Sequence, residues 1–172
     1  MDITAKVKGA LGGLERLAAS IPGYKGYKEK EMRREADRLL REQLARQFEE
    51  QRRRIPDLQK QLISSGQFGF LDDLESGVMK LQYLIDRLKT ASYGYAGFFD
   101  AVKVKEEQLD ALYEFDNALL DEVPKVAAGI NSVSEALAAK EGVAEAVADL
   151  VSTIQGINDT FSKRQDVILQ AS

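Results

Sequence analysis

Between Leu71 and Leu88 the apolar residues fall at steps of three and four: Leu71, Leu74, Val78, Leu81, Ile85 and Leu88. That spacing collects on one side of an α-helix and on neither side of a strand. The stretch can bury these side chains only as a helix packed lengthwise on other helices, in a seam of coiled-coil type. The same rhythm runs through the rest of the chain. Ile3, Val7, Ala10, Leu11, Leu14, Leu17, Ala18 and Ile21 carry it first, and Met32, Ala36, Leu39, Leu40, Leu44, Phe48, Ile55, Leu58 and Leu62 continue it, with Gln51 the one break. Leu109, Leu112, Leu119, Val123, Val126, Ile130, Val133 and Leu137 form another stripe, and Val143, Val147, Leu150, Ile154, Ile157 and Phe161 the last. No sustained alternation of period two appears, so strands are not expected.

Between these stripes a Gly-x-x-Gly unit recurs three times: GYKG at 23–26, GQFG at 66–69 and GYAG at 94–97. Glycine reaches backbone conformations closed to other residues, and each unit is flanked by rings that can seal the end of a helical core. All three therefore read as joints. Ala138 to Gly142 offers a further reversal, and Pro56 and Pro124 should kink the helices that contain them. The fold predicted for residues 1–172 is one all-α domain, an elongated up-down bundle of four to five long, kinked helices with coiled-coil-like packing. The helices are expected at about 3–20, 27–64, 70–92, 104–139 and 142–170. Residues 27–64 alone would reach roughly 55 Å as a helix, well beyond the 70–92 segment, which is the ground for expecting an elongated molecule.

Composition narrows the chemistry. The chain has 172 residues with no cysteine and no histidine. There is thus no disulfide framework, no thiolate or imidazole ligand, and no histidine to act as a general base. The reading is of a protein that is not an enzyme and that holds no cofactor or metal. No apolar run approaches the roughly 20 residues of a membrane span, and the start, MDITAKVKG, lacks the apolar core of a secretory signal. A cytoplasmic location is expected.

Charge is divided unevenly: residues 1–60 hold 15 Lys+Arg against 10 Asp+Glu, and residues 61–172 hold 9 against 18. Such halves either attract each other or present a basic surface to an anionic partner, and the internal pairing is preferred here. The basic segment of Tyr24, Lys25, Tyr27, Lys28, Arg33 and Arg34 is the candidate anion-binding site, for a membrane surface or nucleic acid. Glu29, Glu31 and Glu35 dilute its field, so capping tyrosines and solvated charges explain it as well. Arg52, Arg53 and Arg54 read as a solvated face.

The YGYAGFF run makes Tyr93, Tyr95, Phe98 and Phe99 candidates for a partner contact, since aromatics dominate such anchors; plugging a gap in the bundle is the plainer reading. Glu106, Asp110 and Glu114 share a helix face, as acidic residues near a helix N-terminus commonly do. Asp116 lies close to the Leu112–Leu119 stripe, so its carboxylate needs a partner and can set register or oligomeric state. The function expected is a helical interaction module, a scaffold or adaptor that meets a protein partner or a second copy of itself. The alternative is a peripheral binder of anionic membrane or nucleic acid, and no small-molecule substrate is evident.

Overall fold

In the computed structural model the described backbone covers residues 27–101, 106–164 and 166, and side chains are described at 38–91, 111–164 and 166. The described residues are all-α, with helices α1 (Tyr27–Arg52), α2 (Ile55–Ser64), α3 (Leu71–Ala101), α4 (Glu106–Ala118), α5 (Glu122–Ala139) and α6 (Val143–Ser162). Two 3-10 turns, Phe68–Phe70 and Leu119–Asp121, lie between them. The segment expected to be helical at 3–20 and the first Gly-x-x-Gly unit lie outside the described residues.

Three expectations about continuity are corrected. Residues 27–64 form two helices, not one with a kink: the chain turns at Arg53 and Arg54, and Pro56 sits in the first turn of α2. A proline there loses no hydrogen bond, because first-turn N–H groups have no intrahelical partner anyway. The apolar stripe keeps its phase across the turn, and Phe48, Ile55, Leu58 and Leu62 are all buried. Residues 104–139 likewise divide, with a 3-10 turn just before Pro124.

The third correction concerns the joint at 94–97, which is no joint. Helix α3 runs 31 residues, through Gly94 and Gly97 to Ala101. Glycine permits a turn without requiring one, and two glycines in a helix cost only about 1 kcal/mol each. At about 46 Å α3 approaches the length of the α1–α2 rod. The expected mismatch between a long second helix and a short third one disappears.

Two of the expected reversals are real. In GQFG, Gly66 adopts a φ of +75°, a left-handed conformation that glycine alone takes freely, and the 3-10 turn follows. At the end of α5, Lys140 (φ 56°) and Gly142 (φ 69°) are both left-handed, and the N–H of Glu141 donates to the carbonyl of Ala136. This is a helix closed by a left-handed cap, and it lets α6 double back on α5.

The segments make four rods: α1 with α2, α3, α4 with α5, and α6. The side chain of Gln59 donates to Glu75, and the charges of Lys89 and Asp86 act on Glu49 and Arg52 respectively, so the first rod and α3 run antiparallel. The pairs Arg41–Asp116 and Arg54–Asn131 place the first and third rods parallel. Gly77 beside Val151 and Arg87 beside Ser162 do the same for α3 and α6. Two antiparallel hairpins therefore stand side by side. Most stripe residues from Leu40 to Phe161 line a single core between them, joined by Ala45 and Leu84; Leu71 and Val78 only pack against it, and Leu39, expected in the stripe, is 40% exposed. Each fully buried aliphatic or aromatic side chain contributes about 1.5–3 kcal/mol through removal from water.

Candidate functional site

The parallel contact between α3 and α6 carries the most chemistry on the described surface. Asn158 lies in the apolar stripe of α6 and is only 5% exposed. Its Nδ2 donates to the backbone carbonyl of Lys80 at 2.9 Å, which clamps α6 to the backbone of α3. Buried polar groups persist where they are bonded, and this amide bonds on both sides of the contact. One turn away, the Nη1 of Arg87 donates to the carbonyl of Asn158 at 3.1 Å, and Nη2 donates to the Ser162 hydroxyl at 3.0 Å. The guanidinium lies 5.1 Å from the ring centre of Tyr83 and 4.8 Å from that of Phe161. A cation held over two rings with its hydrogens engaged is fixed in direction.

Between the two helices, outside this clamp, an open furrow of about 570 Å³ runs from Asp72 and Glu75 past Met79 and Tyr83 to Arg87. A second hollow of about 400 Å³ adjoins it along Ala148, Val151 and Ser152, and the contact of Lys80 with Gln155 separates the two. Met79 is 65% and Tyr83 60% exposed. Two large apolar side chains one helical turn apart on a continuous furrow form a patch, unlike single exposed residues. Among the described residues, Asp72, Lys80 and Arg87 have no ion-pair partner.

A second polar cluster lies inside the bundle. Asp116 on α4 is fully buried, and it accepts from Arg164 at 2.8 Å (Nε) and 2.7 Å (Nη2), a two-pronged pair. Arg41 of α1, 4% exposed, approaches the same carboxylate at 3.9 Å. Arg164 follows the end of α6, and its guanidinium lies 6.0 Å from the ring centre of Phe161. The expectation that Asp116 requires a partner holds, and its neighbour Asn117 is the more exposed of the two. Arg164, Arg41, Arg87 and Asn158 were not foreseen. The signals were an acid inside an apolar stripe, which demands a cation, and an amide directly after Ile157.

Of the residues singled out from sequence, Tyr24 and Lys25 lie outside the described residues. Tyr27, Lys28, Arg33 and Arg34 fall on α1, and Tyr93, Tyr95, Phe98 and Phe99 fall on the last turns of α3, all with side chains outside the described set. Glu106 and Asp110 are likewise on α4 with side chains outside it, while Glu114 is exposed. Among the described residues no group of three acidic residues could hold a metal ion, and no described helix is long and apolar enough to cross a membrane.

The arginine run is only partly a solvated face. Arg53 is exposed, but Arg52 holds both oxygens of Glu49, at 3.0 and 2.6 Å, and Arg54 donates to Gln51 and Asn131. The hydrogen bonds from Arg52 hold the Glu49 carboxyl below its ordinary value despite the opposing effect of burial, and the same bonds raise Arg52. Gln51, the break in the apolar stripe, is thus an acceptor at the α1–α2 turn.

Comparison of the chain with protein-family models, with curated proteins and with solved structures gives no match. The functional reading rests on the geometry above.

Proposed function

We propose that the chain is a non-enzymatic helical interaction module, a cytoplasmic scaffold or adaptor that meets a protein partner through the faces of α3 and α6. The observation that carries this reading is the furrow with Met79 and Tyr83 in its wall and Arg87 fixed at its end. Such a surface offers what a protein contact uses: apolar and aromatic anchors beside a preorganised arginine. The volume falls within the range of small-molecule sites, but the furrow is open, and Met79 and Tyr83 in its wall are 65% and 60% exposed. An amphipathic segment laid along the furrow would cover both. The partner contact is taken to continue along α3 toward Tyr93, Tyr95, Phe98 and Phe99. The bundle is proposed to be elongated, on the length of α3 alone, about 46 Å, with coiled-coil-like seams and up-down order. Small-angle scattering with a radius of gyration near the roughly 16 Å of a compact domain would remove the elongation.

The test of the interaction reading is a photo-crosslinking residue placed at Met79 and, as a control, at the exposed Ser132 on α5. In the native host, position 79 should give a discrete adduct that position 132 does not. Equal yields at the two positions, or none at 79, would remove the assignment.

A further inference from the structure

The part of the α3 stripe that lines the furrow is charged in opposite senses at its two ends, while the exposed Asp86, outside that lining, accepts from Gln82 at 2.9 Å and acts on Arg52 of α1. Asp72 and Glu75 lie on one side of Met79, and Lys80 and Arg87 on the other, with Tyr83 between the basic pair. Turned about an axis through the midpoint of Met79 and Lys80, the stripe meets itself in complementary register. Asp72 then faces Arg87 of the other copy, Ser76 faces Tyr83, and the two Met79 side chains meet near the axis. Symmetric dimers use such self-complementary patches, in which one residue meets a second and the second meets the first.

Resting on the reading of the α3–α6 face as an interaction surface, we infer that its partner is a second copy of this chain, docked antiparallel through the α3 stripe with reciprocal Asp72–Arg87 pairs. Two observations favour this occupant. Arg87 is immobilised over Tyr83 and Phe161 by bonds to a carbonyl and a hydroxyl, with no carboxylate against it among the described residues. Asp72, at the matching distance on the other side of the axis, is exposed and also without an ion-pair partner. The acid at the Arg87 end of the furrow, Asp159, accepts from Gln155 at 2.8 Å and so is directed along its own helix. Cross-helix charge pairs of this kind set register and reject wrong partners more than they add raw affinity.

The experiment is sedimentation of the full chain with two charge reversals, Arg87→Asp and Asp72→Arg. The wild type should dimerise with rising concentration. Each reversal alone places like charges opposite one another, and should weaken the dimer by about tenfold or more. An equimolar mixture of the two reversals restores both pairs and should form a heterodimer.

Because Arg87 also bonds within its own chain, a substitution that leaves it intact is needed. The chain has no cysteine, so Met79→Cys introduces a single thiol at the axis. With copper phenanthroline as oxidant it should yield a reducible dimer, and Ser132→Cys should not. A wild type that stays monomeric at all concentrations with no cross-link at 79 overturns the self-pairing. A dimer indifferent to both reversals overturns it as well. Neither result touches the broader surface reading, which fails only if the photo-crosslinker at 79 captures nothing beyond its control.

Discussion

Two arginines lie against the same ring, and they serve opposite ends. Arg164 points inward from Phe161 and closes on the buried Asp116 with two hydrogen bonds, while Arg87 lies over the ring on the furrow side and bonds only neutral groups. Inside, the arginine is paired with a carboxylate, and the cluster ties α1, α4 and the end of α6 together. Outside, the charge is equally well positioned but left for something else to match. A charge buried and paired describes how the chain holds its shape; a charge fixed and unmatched at the surface describes where it can meet another molecule.

The largest effect should come from the inner cluster. Asp116→Ala removes the buried carboxylate that Arg164 grips and Arg41 approaches, and removing one member of a buried pair costs about 3–5 kcal/mol. A domain stability of about 5–15 kcal/mol leaves little margin for that. Urea unfolding should show a sharp fall in midpoint, and an unchanged midpoint would mean that the cluster is solvated. Phe161→Ala should be of similar size, about 3–5 kcal/mol, and because the ring serves both arginines it should also weaken association. Loss of stability with association untouched would separate the two regions more sharply than the shared ring implies.

Asn158→Ala strips the clamp from α3 and the 3.4 Å bond from Arg87 to the Asn158 Oδ1, while the bond to the backbone carbonyl stays. A buried hydrogen-bonding group lost in this way costs about 1–3 kcal/mol, read as a drop in melting temperature with faster amide exchange along α6. Gly77→Ala acts in the other direction. A methyl there meets Val151 Cγ2 at 3.4 Å, an ordinary contact, so the gain in helix propensity of up to about 1 kcal/mol should appear as stabilisation. Gly129→Ala should yield no such gain, since its methyl would press on Leu150 at 3.0 Å where α5 and α6 approach.

The smallest effect is that of pH on Glu49. Its carboxyl is held below the ordinary 4.5 in the folded state, so the Arg52 pair stabilises fully above that value and is lost as pH falls through the lower, folded one. Glu49→Gln should therefore be less stable than the wild type at neutral pH, and the difference should vanish in acid.

How much of this was legible from residues alone differs between backbone and site. The stripes located most of the core, because burial on a helix is written in steps of three and four, though Leu39 faces out and Ala45 and Leu84 lay off them. The breaks were harder. Pro56 and Pro124 marked the right places, yet a proline in a first turn ends nothing; it begins the next helix. Gly94 and Gly97 misled because glycine allows a turn without enforcing one. The furrow was hidden for a different reason. Arg87 and Met79 are ordinary surface residues on α3 until α6 is laid beside them, and only the parallel register of two helices far apart in sequence brings Asn158, Ser162 and Phe161 to Arg87.

The division between the two arginines is tested most directly by urea unfolding of Arg164→Met and Arg87→Met side by side. Methionine keeps much of the apolar stem and removes the charge. Arg164→Met removes the two-pronged bond to the buried Asp116, and should lose about 3–5 kcal/mol. Arg87→Met gives up two ring contacts and two hydrogen bonds to neutral groups, on the order of 2 kcal/mol together, and should lose less than Arg164→Met. Equal losses, or a larger loss at Arg87, would contradict the account, since the outer arginine would then be as much a part of the scaffold as the inner one.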